Sequence, residues 1–121
     1  MSTLPLVYIA GPYTSPDPVE NTHDTIRIAT RLYESGHLVP LVPHLTLLWH
    51  LVEPRPPDFW YAYDMHLLRR CDAVLVLPGL SPGADLEVTE AKRLEIPTFD
   101  NESDLLMWAL QWSAAHVEGG H

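Results

Sequence analysis

The chain has 121 residues, with 16 Asp and Glu against 7 Lys and Arg, a formal net charge of −9; it is 46% hydrophobic and 19% charged. That length and balance predict one globular domain. The acidic charge excludes a nucleic-acid polymer as partner, because neutralising phosphates takes a basic face. A small anion remains open, since backbone amides at a helix start can hold a phosphate in an acidic protein. The single cysteine, Cys71, excludes an intrachain disulfide and a Cys-rich zinc site. No apolar run nears the ~18 residues of a membrane span, so no membrane partner is expected. The opening MSTLPLVYIAGP lacks a basic stretch followed by a long apolar one, which predicts a cytoplasmic chain.

Residues 5–10 (PLVYIA) form a continuous β-prone run, as in a strand buried on both faces, ended by Gly11-Pro12. Asp17-Pro18-Val19-Glu20 reads as an N-cap, a first-turn proline and a capping-box glutamate. The helix that follows places Ile26, Ala29 and Tyr33 on one stripe, with Ile28 and Leu32 beside it, and Gly36 as its stop. Residues 38–42 (LVPLV) predict a second strand, which Pro40 assigns to a sheet edge. Residues 43–57 suit either a short helix or a pocket-lining loop. A helix over 58–70 puts Trp60, Tyr63 and Leu67 on one stripe, with Asp64 on the same side as Trp60. Residues 73–77 (AVLVL) predict a strand, Ser81-Pro82-Gly83 opens a helix to Leu94, 96–99 (IPTF) predict a last strand, and 103–115 a last helix.

Strands separated by helices imply an α/β fold, flavodoxin-like or Rossmann-like. We expect a parallel sheet of four or five strands with helices on both faces. In such sheets ligands bind beyond the carboxyl ends of the strands. This brings together the loop after the first strand, the 43–57 segment and the loop Pro78–Gly83.

Three elements there could do chemistry. Gly11, with Pro12 and Tyr13, follows a buried strand where backbone approaches a ligand or simply turns. Ser81 and Gly83 open a helix whose free amides could hold a phosphate. Glu87 lies in its first two turns, where the helix dipole favours a carboxylate; these residues equally suit a helix cap and a solvated acid. Asp64 shares a core-facing stripe with Trp60, and could pair with Arg69 or Arg70 instead. Two carboxylates from different elements, meeting at the sheet's carboxyl edge, suit cleavage of a glycosidic bond.

YIAGPYT, then Asp64, then CDAVLVLPG and S-x-G-x-x-x-E together resemble the nucleoside 2-deoxyribosyltransferase superfamily, across roughly residues 5–99. That group includes nucleoside 5'-monophosphate N-hydrolases. The resemblance implies that Glu87 forms or stabilises a glycosyl intermediate, that Asp64 contacts the sugar and that Tyr8 is an active-site tyrosine. It implies that Ser81 and Gly83 lie on the phosphate side and that Gly11 is a close-approach glycine. It further implies an N-glycosidase or deoxyribosyltransferase of nucleosides or their 5'-monophosphates, needing no cofactor, with relatives usually oligomeric. Where the family often has Glu-Leu-Gly, this chain has Glu87-Val88-Thr89, and its first loop holds no basic residue. Those departures support an alternative, a nucleotide-binding sensor that has lost turnover.

His44, His50 and His66 match no zinc spacing, so no metal is expected, although His44 follows the second strand and could touch a ligand. Trp60 and its aromatic neighbours could stack on a base or build core. Trp108 and Trp112, one turn apart, read as core or as the contact of a homodimer, the favoured oligomer. Cys71 reads as a small core residue and Asp72 as a local cap or pair.

Overall fold

The computed structural model describes residues 3–79 and 81–117. In chain order they form β1 (Leu6–Ala10), α1 (Pro18–Glu34), β2 (Val39–Leu41), a 3₁₀ turn (Pro43–Leu45), α2 (Thr46–Val52), α3 (Pro57–Leu68), β3 (Ala73–Val76), α4 (Pro82–Arg93), β4 (Thr98–Phe99) and α5 (Glu102–Ala115). The four strands make one all-parallel sheet in the order β2-β1-β3-β4. This is the doubly wound α/β architecture expected from the alternation of strands and helices.

Alternation along the central strands builds two cores. Val7 and Ile9 of β1, with Ala73 and Leu75 of β3, pack with Leu32 of α1 and with Leu105 and Ala109 of α5. Tyr8 and Ala10, with Val74, face the other way, onto Met65 and Leu68 of α3 and Ala84 and Ala91 of α4. The continuous apolar runs thus cover both faces of the sheet, each buried aliphatic side chain contributing about 1.5–3 kcal/mol. The chain leaves β1 towards β2 on one side and crosses back to β3 on the other. The carboxyl ends of β1 and β3 therefore flank the switch point where open α/β sheets hold ligands.

Local signals hold at most boundaries. Asp17 caps α1, its Oδ1 accepting from Val19 N at 2.8 Å, but the described hydrogen bonds include no return bond from Glu20. Pro40 does lie on an edge strand. The 43–57 segment resolves into the 3₁₀ turn and α2. The buried stripe of α1 is Thr25, Ala29 and Leu32, whereas Ile26 and Tyr33 are exposed. Leu32 packs into the core with β1, β3 and α5, and the face it shares with Thr25 and Ala29 turns Ile26 and Tyr33, each one residue further round the helix, outward. Asp72 pairs across the sheet rather than locally: its Oδ2 accepts from Leu6 N at 2.8 Å, while its own N donates to Leu6 O at 2.7 Å. None of the described helices is long and apolar enough to cross a membrane.

Candidate active site

The inward stripe of α4 carries Ala84, Glu87 and Ala91. An alanine one turn to either side lets the helix approach the sheet closely. That brings the Glu87 carboxyl down onto β1, where the Tyr8 hydroxyl donates to Glu87 Oε2. Both groups are buried, Tyr8 fully and Glu87 with 7% of its surface exposed. The helix start is set by Ser81, whose Oγ accepts from Ala84 N at 3.1 Å, followed by Pro82 in the first turn.

On the neighbouring helix α3, Trp60, Asp64 and Leu68 recur every four residues, with Trp60 and Leu68 buried. Asp64 thus projects from a core-facing stripe, half-buried, and its Oδ1 is enclosed without a hydrogen-bond partner. No ion pair among the described residues involves Asp64 or Glu87. Arg69 bonds Glu90 at 3.0 Å and Arg70 bonds the His66 carbonyl at 2.9 Å, so neither arginine neutralises Asp64.

Burial without a cation controls the acidity of this cluster. Desolvation pushes Glu87 up to about 7, against the hydrogen bond from Tyr8, which favours the carboxylate. Desolvation, reinforced by the negative charge of Glu87, pushes Asp64 up to about 7 as well. Tyr8 is driven far upward by burial and by both acids and stays a neutral donor. The helix dipole was expected to hold Glu87 ionised. Instead its inward position makes desolvation the larger effect. At neutral pH the pair is poised between protonation states, as acid–base chemistry requires.

The first loop borders this cluster. Burial and the Asp64 charge both push the Tyr13 hydroxyl upward, which puts Tyr13 within the field of Asp64. Its ring leans on His44, with centroids 5.8 Å apart. His44 is buried, and its Nε2–H donates to the Pro12 carbonyl at 2.8 Å, leaving Nδ1 an enclosed acceptor without a partner. Burial pushes its pKa down, so it is neutral. Gly11 and Pro12 meet the loop after β3: a Cβ on Gly11 would stand 3.1 Å from Leu77 Cβ. Gly79, at φ +121°, would place a Cβ 2.6 Å from Pro12 Cγ. The close approach that Gly11 permits is therefore to the second loop of the switch point. Beside Gly83 the space is open, with Ser81 Oγ the nearest atom at 3.9 Å.

Trp60 is built into a scaffold. Its indole N–H donates to His50 Nδ1 at 2.8 Å, and its ring packs edge-on against Trp49 and Phe59. The His50–Trp60 pair joins α2 to α3 and was not foreseen; nothing local in the sequence marks two residues on separate helices as partners. A groove of about 360 Å³ lies between β2, α2 and α3, lined by Leu41, Thr46, Trp49, Tyr63 and Leu67 among others. Leu41, a lining residue of this groove, is the register partner of Tyr8, so the two backbones are one strand spacing apart, ~4.8 Å. A second cavity of about 590 Å³ lies between α4, β4 and α5; neither is lined by Asp64 or Glu87. Among the described residues no group of three or more His, Cys, Asp or Glu could hold a metal ion.

Residues 5–100 match the family described as "Domain of unknown function (DUF7768)". The chain belongs to this family. No curated protein matches it. Its fold is similar to the solved structure of a 2-deoxyribosyltransferase from the psychrotolerant bacterium Bacillus psychrosaccharolyticus. The two superpose with a TM-score of 0.55 over 77% of this chain and 69% of that one, at 14% identity. That enzyme is described as a biocatalyst for the synthesis of antiviral and antitumoral nucleosides. At such identity the likeness shows a shared fold.

Proposed function

We propose that this DUF7768 chain breaks or transfers the N-glycosidic bond of a nucleoside or nucleoside 5'-monophosphate, acting as a single cytoplasmic domain. The observation that carries the reading is the buried Tyr8–Glu87 hydrogen bond, with the unpartnered carboxyl of Asp64 on the facing helix. The fold shared with a 2-deoxyribosyltransferase supports it. Glu87, as carboxylate, attacks the anomeric carbon, and the bond to the base nitrogen breaks as the base departs with the electron pair. Asp64, protonated near neutrality, gives its proton to the departing base. Water or a second base then attacks the same carbon, releasing Glu87, and the attacking group's proton returns to Asp64. Tyr8 holds Glu87 in one orientation by a bond that is strongest to the carboxylate form.

Tyr13 and His44, with Gly11 and Pro12 setting their loop, flank the sugar in this reading. Ser81 and Gly83 lie towards a 5'-phosphate, and Trp60, through His50, anchors to α2 the helix it shares with Asp64. No metal or organic cofactor takes part. Incubation with a panel of nucleosides and 5'-monophosphates, with and without a free acceptor base, tests the proposal by chromatography. Wild type is expected to release or exchange base, and Glu87→Ala and Asp64→Asn to lose that activity at least ~100-fold. Ligands that raise the melting temperature without any base release would overturn the enzyme reading and leave a nucleotide-binding sensor.

A further inference from the structure

The helix α2, TLLWHLV, buries none of its seven residues. Helices this short are marginal alone, and most helical stability comes from packing an apolar face. Yet Leu45, Leu48, Trp49 and Val52 lie on one outer stripe, with Leu51 beside it and Phe59 of α3 adjoining through the Trp49–Trp60–Phe59 aromatic contacts. These six side chains keep between 42% and 73% of their surface in water. At ordinary side-chain areas that is on the order of 700 Å² of apolar surface. It exceeds the usual largest patch of a monomer and approaches the ~800 Å² per partner of a stable interface.

Charge identifies the occupant. From Ser35 through Val52 there is no Asp, Glu, Lys or Arg, in a chain whose net charge is −9. Copies of so acidic a chain repel one another through most of their surface, and approach at least electrostatic cost through an uncharged one. An anionic membrane is repelled by the same net charge, and the arginine beside the stripe, Arg55 over the Phe59 ring at 5.3 Å, lies 3.9 Å from Glu53, whose charge offsets it. A self-complementary patch on both partners is what a two-fold dimer uses. The tryptophans of α5, by contrast, are taken up within the chain: Trp108 packs on Phe99 at 5.6 Å and Trp112 stacks on His116 at 3.8 Å.

We propose that a second copy of this chain docks on the face formed by the 3₁₀ turn, α2 and the start of α3. Leu45 and Trp49 belong both to this face and to the 360 Å³ groove, so docking covers the mouth of the groove. The proposal stands whether or not the chain cleaves glycosides. Light scattering on a sizing column tests it. Wild type is expected at twice the chain mass, Leu48→Glu and Leu51→Glu at the chain mass with unchanged circular dichroism, and Leu110→Glu on α5 at twice the chain mass. Because the glutamates replace exposed side chains, self-association should weaken tenfold or more, by roughly the cost of a mutated interface hot spot. Hydrogen exchange on wild type provides a measurement independent of variants: protection over 45–52 should fall on dilution. A monomeric wild type, including one that co-floats with phosphatidylcholine vesicles, overturns the proposal. So does a dimer that survives both α2 substitutions, one that Leu110→Glu dissociates, or protection over 45–52 that ignores dilution.

Discussion

Replacing Glu87 by Gln removes a titrating group while keeping an acceptor for the Tyr8 hydroxyl, and its consequence can be worked from the burial of the site. In the folded chain Glu87 titrates at about 7, against an ordinary value of 4.5. Below pH 4.5 both folded and unfolded chains hold the proton, and the residue takes nothing from stability. Between pH 4.5 and about 7 the folded chain keeps a proton that the unfolded chain has released, so wild-type stability declines as pH rises; above 7 the loss levels off. At about 1.36 kcal/mol per pH unit the full loss is about 3 kcal/mol. Asp64 adds a loss of the same sign, part of which is relieved with the charge of Glu87 gone. Urea denaturation across pH 4–8 should therefore find Glu87→Gln and wild type nearly equal at pH 4, and the variant more stable by about 3 kcal/mol at pH 8, with similar denaturant slopes. The same variant should be inactive, a case of stability exchanged for function. A stability difference that does not change between pH 4 and pH 8 would mean that Glu87 titrates alike in the folded and unfolded chains and that its burial does not raise its pKa.

Tyr8→Phe deletes a hydrogen bond that favours the Glu87 carboxylate, worth about 1.5–3 kcal/mol for a charged acceptor. The acid limb of base release should move about one to two pH units alkaline; a limb that stays in place would show that Tyr8 does not control Glu87. His44→Ala strips the Pro12 carbonyl of its buried donor and should lower stability by about 1–3 kcal/mol in urea titrations, whereas an unchanged midpoint would mean that water replaces the ring without cost. Gly79→Ala forces a side chain to φ +121° and to within 2.6 Å of Pro12. A loss of about 1–3 kcal/mol is expected. Differential scanning calorimetry checks it, and a variant as stable as wild type would show that the two loops part freely.

The layout of this chain is written in short-range signals. PLVYIA and AVLVL are apolar without a break because their strands are covered on both faces, and Asp17-Pro18 and Ser81-Pro82 cap helices through groups two or three residues away. Pro40 marks an edge because a missing amide donor is tolerated only there. Tyr8 and Glu87 were legible singly, through the resemblance that names each as a site residue, but their hydrogen bond to one another was not. Which turn of α1 lies inward, the His50–Trp60 bond and the exposure of α2 were not legible, since each depends on what a distant segment covers. The acidity of the site belongs with these. Helix position alone argues for an ionised Glu87, and only packing between Ala84, Ala91 and the sheet removes the water that would keep it so. Sequence order determined the sheet and the helices because backbone patterning is local. Tertiary structure decided the protonation state of the acids, because solvation of a charge depends on everything that surrounds it.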